Sequence, residues 1–154
     1  MNRTHFLRTA ASLLLAASSV CTLAAERATP AEAEALVKKA VAMVKSAGPD
    51  KTFEEVTNGK SLKDRDLYVF IYDLNGKCLA HGANPKLVGK DLIGMKDPDG
   101  KPLIKMLVDV AKDKGKGWTD TVKFRNPVTD QIQSRVNYIE RVGDLAVGSG
   151  VFRD

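Results

Sequence analysis

Cysteine and histidine, which form disulfides and bind most transition metals, are scarce in this chain of 154 residues. There are two of each, and Cys21 and His5 lie in an N-terminal segment with the pattern of a signal peptide. Cys78 and His81 are therefore the pair expected in the exported protein. One cysteine cannot form an internal disulfide, and a structural zinc site takes four ligands, typically Cys or His. We expect no disulfide, no metal site and no cofactor.

Long hydrophobic runs are lacking as well. The apolar run at residues 10–20 follows Arg3 and Arg8 and is rich in alanine, whereas a membrane-spanning helix needs about 20 apolar residues. A basic start, a short apolar middle and small residues at the end are typical of a signal peptide. The pattern predicts a signal peptide over residues 1–24 and a periplasmic protein. Retention of this segment as an uncleaved anchor is the alternative.

A strong excess of one sign of charge is also missing. The chain has 24 Lys and Arg residues against 19 Asp and Glu, and removal of Arg3 and Arg8 reduces the first number to 22. Nucleic-acid-binding proteins concentrate basic residues in one patch, so we expect no nucleic-acid partner. About 130 residues remain, which is enough for one hydrophobic core. We predict a single domain over residues 26–154.

The most informative stretch runs from Asp66 to Lys90. An apolar, aromatic-rich run at residues 67–72 is followed by Asn75-Gly76 and by a second short run at residues 78–80. Asn-Gly tolerates the positive φ values of tight turns, so the stretch predicts a β-hairpin. An irregular polar segment follows directly. A sheet that leads into such a loop is a common way to build a small-molecule pocket.

The remaining elements follow from turn signals and periodicity. Thr29-Pro30 begins a long N-terminal helix with one apolar stripe, and Gly48-Pro49 ends it. The order of the predicted elements is typical of an α+β domain, with an antiparallel sheet of about five strands and a helix inserted between strands. Besides the first helix, we predict helices at 50–58 and 102–114 and strands at 67–72, 78–80, 118–124, 132–141 and 145–152.

Six short phrases stand in the order typical of single Cache domains of the second type. The resemblance to that family covers most of the exported chain, from the first helix to the last strand. One phrase alone carries little weight, but six in register are specific. They are Leu79-Ala80-His81-Gly82, Asn84-Pro85, Leu87-Val88-Gly89-Lys90, Gly115-Lys116-Gly117-Trp118, Asn126-Pro127 and Val147-Gly148-Ser149-Gly150-Val151.

The resemblance implies a PAS-like sheet and a sensor function. Such domains lie outside the cytoplasm, bind small ligands that are often short carboxylates, and report them to a chemoreceptor or histidine kinase. For this chain it implies a small organic acid as ligand, and a homodimer or a membrane receptor or kinase as partner in signal transduction or chemotaxis. Since the chain ends right after the last predicted strand, we expect the freestanding, secreted form of the module.

Arg135 and Tyr138 are the first two candidate ligand-binding residues. Arg135 stands where the resemblance implies a basic residue, and its planar fork offers a carboxylate two parallel donors. The alternative is a surface charge at a sheet edge. Tyr138 offers apolar area and one hydroxyl. Residues three apart in a regular strand point to opposite faces, so both cannot line one pocket unless a bulge intervenes.

Five further residues complete the candidate site. The tyrosines of the first strand share one face with Phe70 while apolar residues occupy the other, so the sheet is expected to be covered on both sides. Packing in the core is the alternative function for the aromatic members. The histidine is expected either to donate to a carboxylate or to cap a turn by bonding to the backbone. These residues are Tyr68, Tyr72, His81, Trp118 and Phe124.

Two other functions compete with ligand binding. An enzyme would use Cys78 and His81 as nucleophile and base, but their spacing predicts opposite faces of a strand and no orienting acid is evident. We therefore expect no catalysis. An accessory protein would have a vestigial pocket and act through its N-terminal helix.

Overall fold

The computed structural model describes residues 27–153. The predicted signal peptide at residues 1–24 lies outside this range. Within it the chain forms three α-helices, seven β-strands, a 3-10 turn at Pro85–Leu87 and a π-helical turn at Val110–Lys114. The helices and strands are α1 Pro30–Ala47, α2 Pro49–Asn58, β1 Lys63–Asp64, β2 Leu67–Asp73, β3 Cys78–His81, α3 Leu103–Asp109, β4 Lys116–Trp118, β5 Val122–Arg125, β6 Ile132–Val142 and β7 Leu145–Arg153.

The strands form one antiparallel sheet. Its main path runs β1-β2-β7-β6-β4, while β3 pairs with β2 and β5 pairs with β6. The predicted α+β class, the long N-terminal helix and the inserted helix are confirmed. The described residues contain seven strands rather than about five, because the sequence does not predict β1 and because the strand expected at residues 118–124 is divided into β4 and β5.

A bulge causes this division. Trp118 pairs with Tyr138, and Val122 pairs with Arg135. Three residues, 119–121, therefore stand opposite only two residues of β6. An extra residue of this kind leaves the ladder and bends the strand.

Helices cover both faces of the sheet. On one face Val69 and Ile71 of β2 pack in a core with Val37 of α1 and Val56 of α2. On the other face Tyr68, Phe70 and Tyr72 of β2 pack with residues of α3. All six residues of β2 from 67 to 72 are buried. This confirms the prediction of a sheet covered on both sides.

Local signals set the helix and hairpin boundaries. Thr29 and Glu32 form a capping box at the start of α1, in which the Thr29 N–H donates to Glu32 Oε2 at 2.6 Å. In the β2–β3 hairpin, Asp73 Oδ1 accepts the N–H groups of Asn75 and Lys77 at 2.9 Å each, and Gly76 has φ +92°. In the described part of the chain, none of the helices has the length and apolar character needed to cross a bilayer.

Candidate ligand-binding site

A small cavity, here called the inner cavity, lies between the sheet and α3. Its volume is about 30 Å³, which is room for about two water-sized groups. Leu103, Ile104 and Leu107 of α3 cover it. Strands β2, β3, β5 and β6 supply the other walls with aromatic and polar side chains.

Arg135 of β6 supplies the charge in the inner cavity. It is 3% exposed; its Nη1 donates to the Tyr68 hydroxyl, whereas Nε and Nη2 are buried without a hydrogen-bond partner. None of the described residues lining the cavity is acidic, and no carboxylate within residues 27–153 pairs with this guanidinium. Burying an unpaired charge costs several kcal/mol, on the order of 3–5. Nε and Nη2 form one edge of the guanidinium, where one N–H group of each nitrogen matches one oxygen of a carboxylate.

Four aromatic rings surround this guanidinium. A cation is attracted to a ring face within about 6 Å, so the rings partly offset the desolvation of the charge. They cannot satisfy its N–H groups as a carboxylate does. The distances from Cζ to the ring centroids are 4.5 Å for Tyr68, 4.8 Å for Phe152, 5.4 Å for Phe124 and 5.7 Å for Phe70.

His81, the last residue of β3, both lines the cavity and caps a turn. Its Nδ1 accepts the N–H groups of Ala83 at 3.3 Å and Asn84 at 3.0 Å. The hydrogen bonds therefore assign the proton to Nε2, which is left as a donor. Burial, followed by the positive charges of Arg135 and Lys63, lowers the pKa of His81 to about 3. The imidazole is neutral at physiological pH.

Acidification is expected to destabilise the protein through His81. The folded state binds a proton with a pKa of about 3, and the unfolded state binds it near pH 6.5. Stability is therefore full above pH 6.5 and is lost as the pH falls toward 3. Between pH 7 and pH 5 the free energy of unfolding should decrease by about 2 kcal/mol. Urea denaturation at the two pH values measures this change.

The variant His81→Gln is the control for this pH dependence. Glutamine cannot take up a proton in this range, so the decrease between pH 7 and pH 5 should disappear in the variant. A decrease of the same size in both proteins would show that another group is responsible.

The structure brings five of the seven predicted site residues to the inner cavity. Tyr138 and Trp118 are the exceptions, and both are removed from the candidate site. Their rings are 5.4 Å apart on the opposite face, in the core beneath α1. The pairing of β6 with β7 is regular from residue 134 to 142. Because side chains alternate along a regular strand, the side chain at position 138 points away from the inner cavity. The residues at the cavity are Tyr68, Tyr72, His81, Phe124 and Arg135.

Asn137 is a cavity residue outside the seven candidates that the sequence predicts. It lies two positions after Arg135 in β6, is 6% exposed and lines the inner cavity. Residues two apart in a regular strand share a face, so the position of Asn137 two residues after Arg135 already predicts that both face the cavity. Asn137 adds an amide group, with donor and acceptor capacity, beside the guanidinium.

Cys78 and His81 share a face of β3, contrary to the expected alternation. Cys78 pairs with Tyr72 and Ala80 pairs with Ile71, which leaves Leu79 as an extra residue. The thiol is fully buried, and burial raises its pKa to about 11. A protonated, inaccessible thiol does not favour nucleophilic chemistry. Residues 27–153 also contain no group of three His, Cys, Asp or Glu side chains that could hold a metal ion.

A second cavity, here called the outer cavity, lies on the surface side of the inner one. Its volume is about 220 Å³. The two cavities are neighbours, because they share three lining residues, Tyr68, His81 and Phe124, which are called the partition below. The loop after β3 and the turn after β5 supply the other walls. The polar loop after β3, which the sequence predicts to border a pocket, therefore lines the outer cavity.

Comparison with known proteins identifies related sensor domains. The family model described as Single Cache domain 2 matches residues 17–152. The chain is 32% identical over 93 residues to the methyl-accepting chemotaxis protein McpP of Pseudomonas putida. It is 29% identical over 92 residues to the sensor histidine kinase MctS of Rhizobium johnstonii. The matches cover 59% and 58% of this chain but 17% and 20% of those proteins, so the chain spans about a fifth of their length.

Solved structures share the fold. A methyl-accepting chemotaxis protein from Vibrio parahaemolyticus matches with a TM-score of 0.68 and 23% identity, over 80% of this chain and 88% of that one. A structure described as the basis for carboxylic acid recognition by a Cache chemosensory domain matches with a TM-score of 0.63 and 23% identity. That match covers 79% of this chain and 86% of the other.

Proposed function

The chain belongs to the single Cache domain family, and from this membership we propose that it is a periplasmic sensor module for a short organic carboxylate. Its relatives include a chemotaxis receptor and a sensor histidine kinase, and Cache domains are the extracytoplasmic, ligand-binding parts of such proteins. A domain of the same fold is described for its recognition of carboxylic acids. The bound state is reported through a partner receptor or kinase, and the module performs no catalysis.

The unpaired guanidinium of Arg135 carries this proposal. A carboxylate in the inner cavity accepts hydrogen bonds from Nε and Nη2 along one edge of the guanidinium, while Tyr68 holds Nη1. His81 and Asn137 supply further polar groups in the same cavity. Hydrogen bonds to charged groups contribute about 1.5–3 kcal/mol each. An amine would instead bring a second positive charge beside Arg135.

Carboxylates are expected to stabilise the exported protein against thermal unfolding. A ligand at 100 times its Kd raises the free energy of unfolding by about 2.7 kcal/mol. For a domain of this size the melting temperature then rises by on the order of 10 °C. Differential scanning fluorimetry with two- to four-carbon acids, amino acids and amines measures the shift.

Neutral amides are the control for the charge of the ligand. Acetamide has nearly the shape of acetate but lacks its negative charge, so acetate should stabilise the protein and acetamide should not. If no acid stabilises the protein while a partner protein co-purifies with it, the carboxylate function is refuted and the accessory function is favoured.

A further inference from the structure

We infer that the binding site continues from the inner into the outer cavity, and that the preferred ligand is a monocarboxylate with an uncharged, apolar tail of several carbons. This inference rests on the proposed carboxylate function. It adds the size and polarity of the part of the ligand that does not contact Arg135.

The inner cavity has room for little more than the carboxyl group. Its volume of about 30 Å³ is comparable with about two water-sized groups, and a carboxylate already has two oxygens. Leu103 and Leu107 of α3 cover one side of this space, and Arg135 lies on another. The partition of Tyr68, His81 and Phe124 borders the neighbouring outer cavity, and the rest of the ligand leaves on this side.

The outer cavity suits an apolar chain. Its volume is about 220 Å³, and Ala83, Leu87 and Pro127 line it together with the rings of Tyr68 and Phe124. Burial of each methylene group against such surface contributes about 0.8 kcal/mol. A ligand with a tail in this cavity gains affinity that acetate cannot gain.

Two of the polar side chains of the outer cavity, His81 through Nδ1 and Arg125 through Nη1, already have partners in the protein. His81 Nδ1 accepts the N–H groups of Ala83 and Asn84. Arg125, the cation at the rim, donates to the Asp130 carbonyl at 2.8 Å and to its carboxylate at 3.0 Å. A second carboxylate on the ligand would have to compete with these bonds. The tail is therefore uncharged.

Phe124 is the residue whose rotation joins the two cavities. Tyr68 and His81 are 3% exposed each, and both are tied by hydrogen bonds, Tyr68 to Arg135 and His81 to the loop. Phe124 is only half-buried and forms the remaining part of the partition. Since no hydrogen bond holds this ring and it is the least buried of the three, its rotation toward the surface opens the passage.

Affinity is expected to rise with the length of the acid. Isothermal titration calorimetry with acetate, butyrate, pentanoate and hexanoate should show about a fourfold gain for each methylene beyond butyrate, the equivalent of about 0.8 kcal/mol. Adipate, in which a carboxylate replaces the terminal methyl group of hexanoate, should bind more weakly than hexanoate.

Two leucine substitutions distinguish the effect of filling the outer cavity from that of a change elsewhere in the loop. Ala83→Leu fills the outer cavity and should weaken hexanoate binding at least tenfold while acetate affinity stays within twofold. Val88→Leu is the matched control, because Val88 belongs to the same loop, is 40% exposed and lines neither cavity. The affinities for acetate and hexanoate should both stay at the wild-type value in this control.

The outcomes distinguish this inference from the carboxylate function. Equal affinities for acetate and hexanoate, both lost in Arg135→Met, would refute the extended site and leave the carboxylate function intact. Tighter binding of adipate than of hexanoate would refute the uncharged tail. If none of the acids binds, the carboxylate function fails, and the extended site fails with it.

Discussion

Replacement of Arg135 by methionine is expected to weaken carboxylate binding at least about 100-fold and to leave the free energy of unfolding unchanged or higher. Two charge-assisted hydrogen bonds are lost, at about 1.5–3 kcal/mol each. In the absence of ligand the guanidinium is buried with two nitrogens, Nε and Nη2, that have no hydrogen-bond partner. Exchange of a buried charge for an apolar side chain of similar length is often neutral or stabilising. Replacement of a residue that serves folding would instead lower the free energy of unfolding and leave carboxylate affinity unchanged.

Calorimetry and urea denaturation of the variant test both parts of this prediction. Arg141→Met is the matched control, because Arg141 lies in the same strand and its Nε donates to the Gly143 carbonyl at the surface. Affinity should stay at the wild-type value in the control. Carboxylate affinity within tenfold of wild type in Arg135→Met would rule out the proposed clamp.

Gly150→Ala is expected to lower the free energy of unfolding by about 1–3 kcal/mol, as overpacking of a core does. A Cβ at this position would lie 2.8 Å from the Val136 carbonyl oxygen and would overlap Arg135 Nε and Asn137 Oδ1. The backbone of β7 approaches β6 so closely that only hydrogen fits at residue 150. Because the overlap displaces both polar residues of the site, carboxylate binding should also weaken by at least tenfold.

Gly94→Ala separates this overlap from the general effect of replacing glycine. A Cβ at Gly94 meets no atom within 4 Å, and its φ lies outside the region that favours glycine. Urea denaturation should therefore place this control within about 0.5 kcal/mol of wild type. If Gly150→Ala matches the control in stability and affinity, the close approach of β7 to Arg135 is contradicted.

Elements whose ends are marked by capping or turn residues were predictable from the sequence. The N-cap of α1 at Thr29 and the turn at Gly76 follow from capping and from tolerance of positive φ, which depend on a few neighbouring residues. The alternation in β2 correctly separated Tyr68, Phe70 and Tyr72 from the residues that face α1. Regular periodicity is a property of each strand alone, so no tertiary information was needed.

The prediction from alternation was wrong where a strand contains an extra residue. Leu79 in β3 and the residues between Trp118 and Val122 break the pairing with the neighbouring strand. The first bulge puts Cys78 on the same face as His81, and the second divides the predicted strand. A bulge depends on the register of two strands, which neither strand shows by itself. β6 has no such irregularity, so its alternation separated Arg135 from Tyr138 correctly.

The sequence by itself determined the α+β class, the family resemblance and a short set of polar and aromatic candidates. Only the tertiary structure decided which of them meet. Arg135 comes from β6 and Tyr68 from β2, and α3 closes the space above them. Whether a buried guanidinium finds an acidic partner depends on every element that packs around it. Composition and periodicity do not contain that information, because it arises only when distant segments of the chain come together.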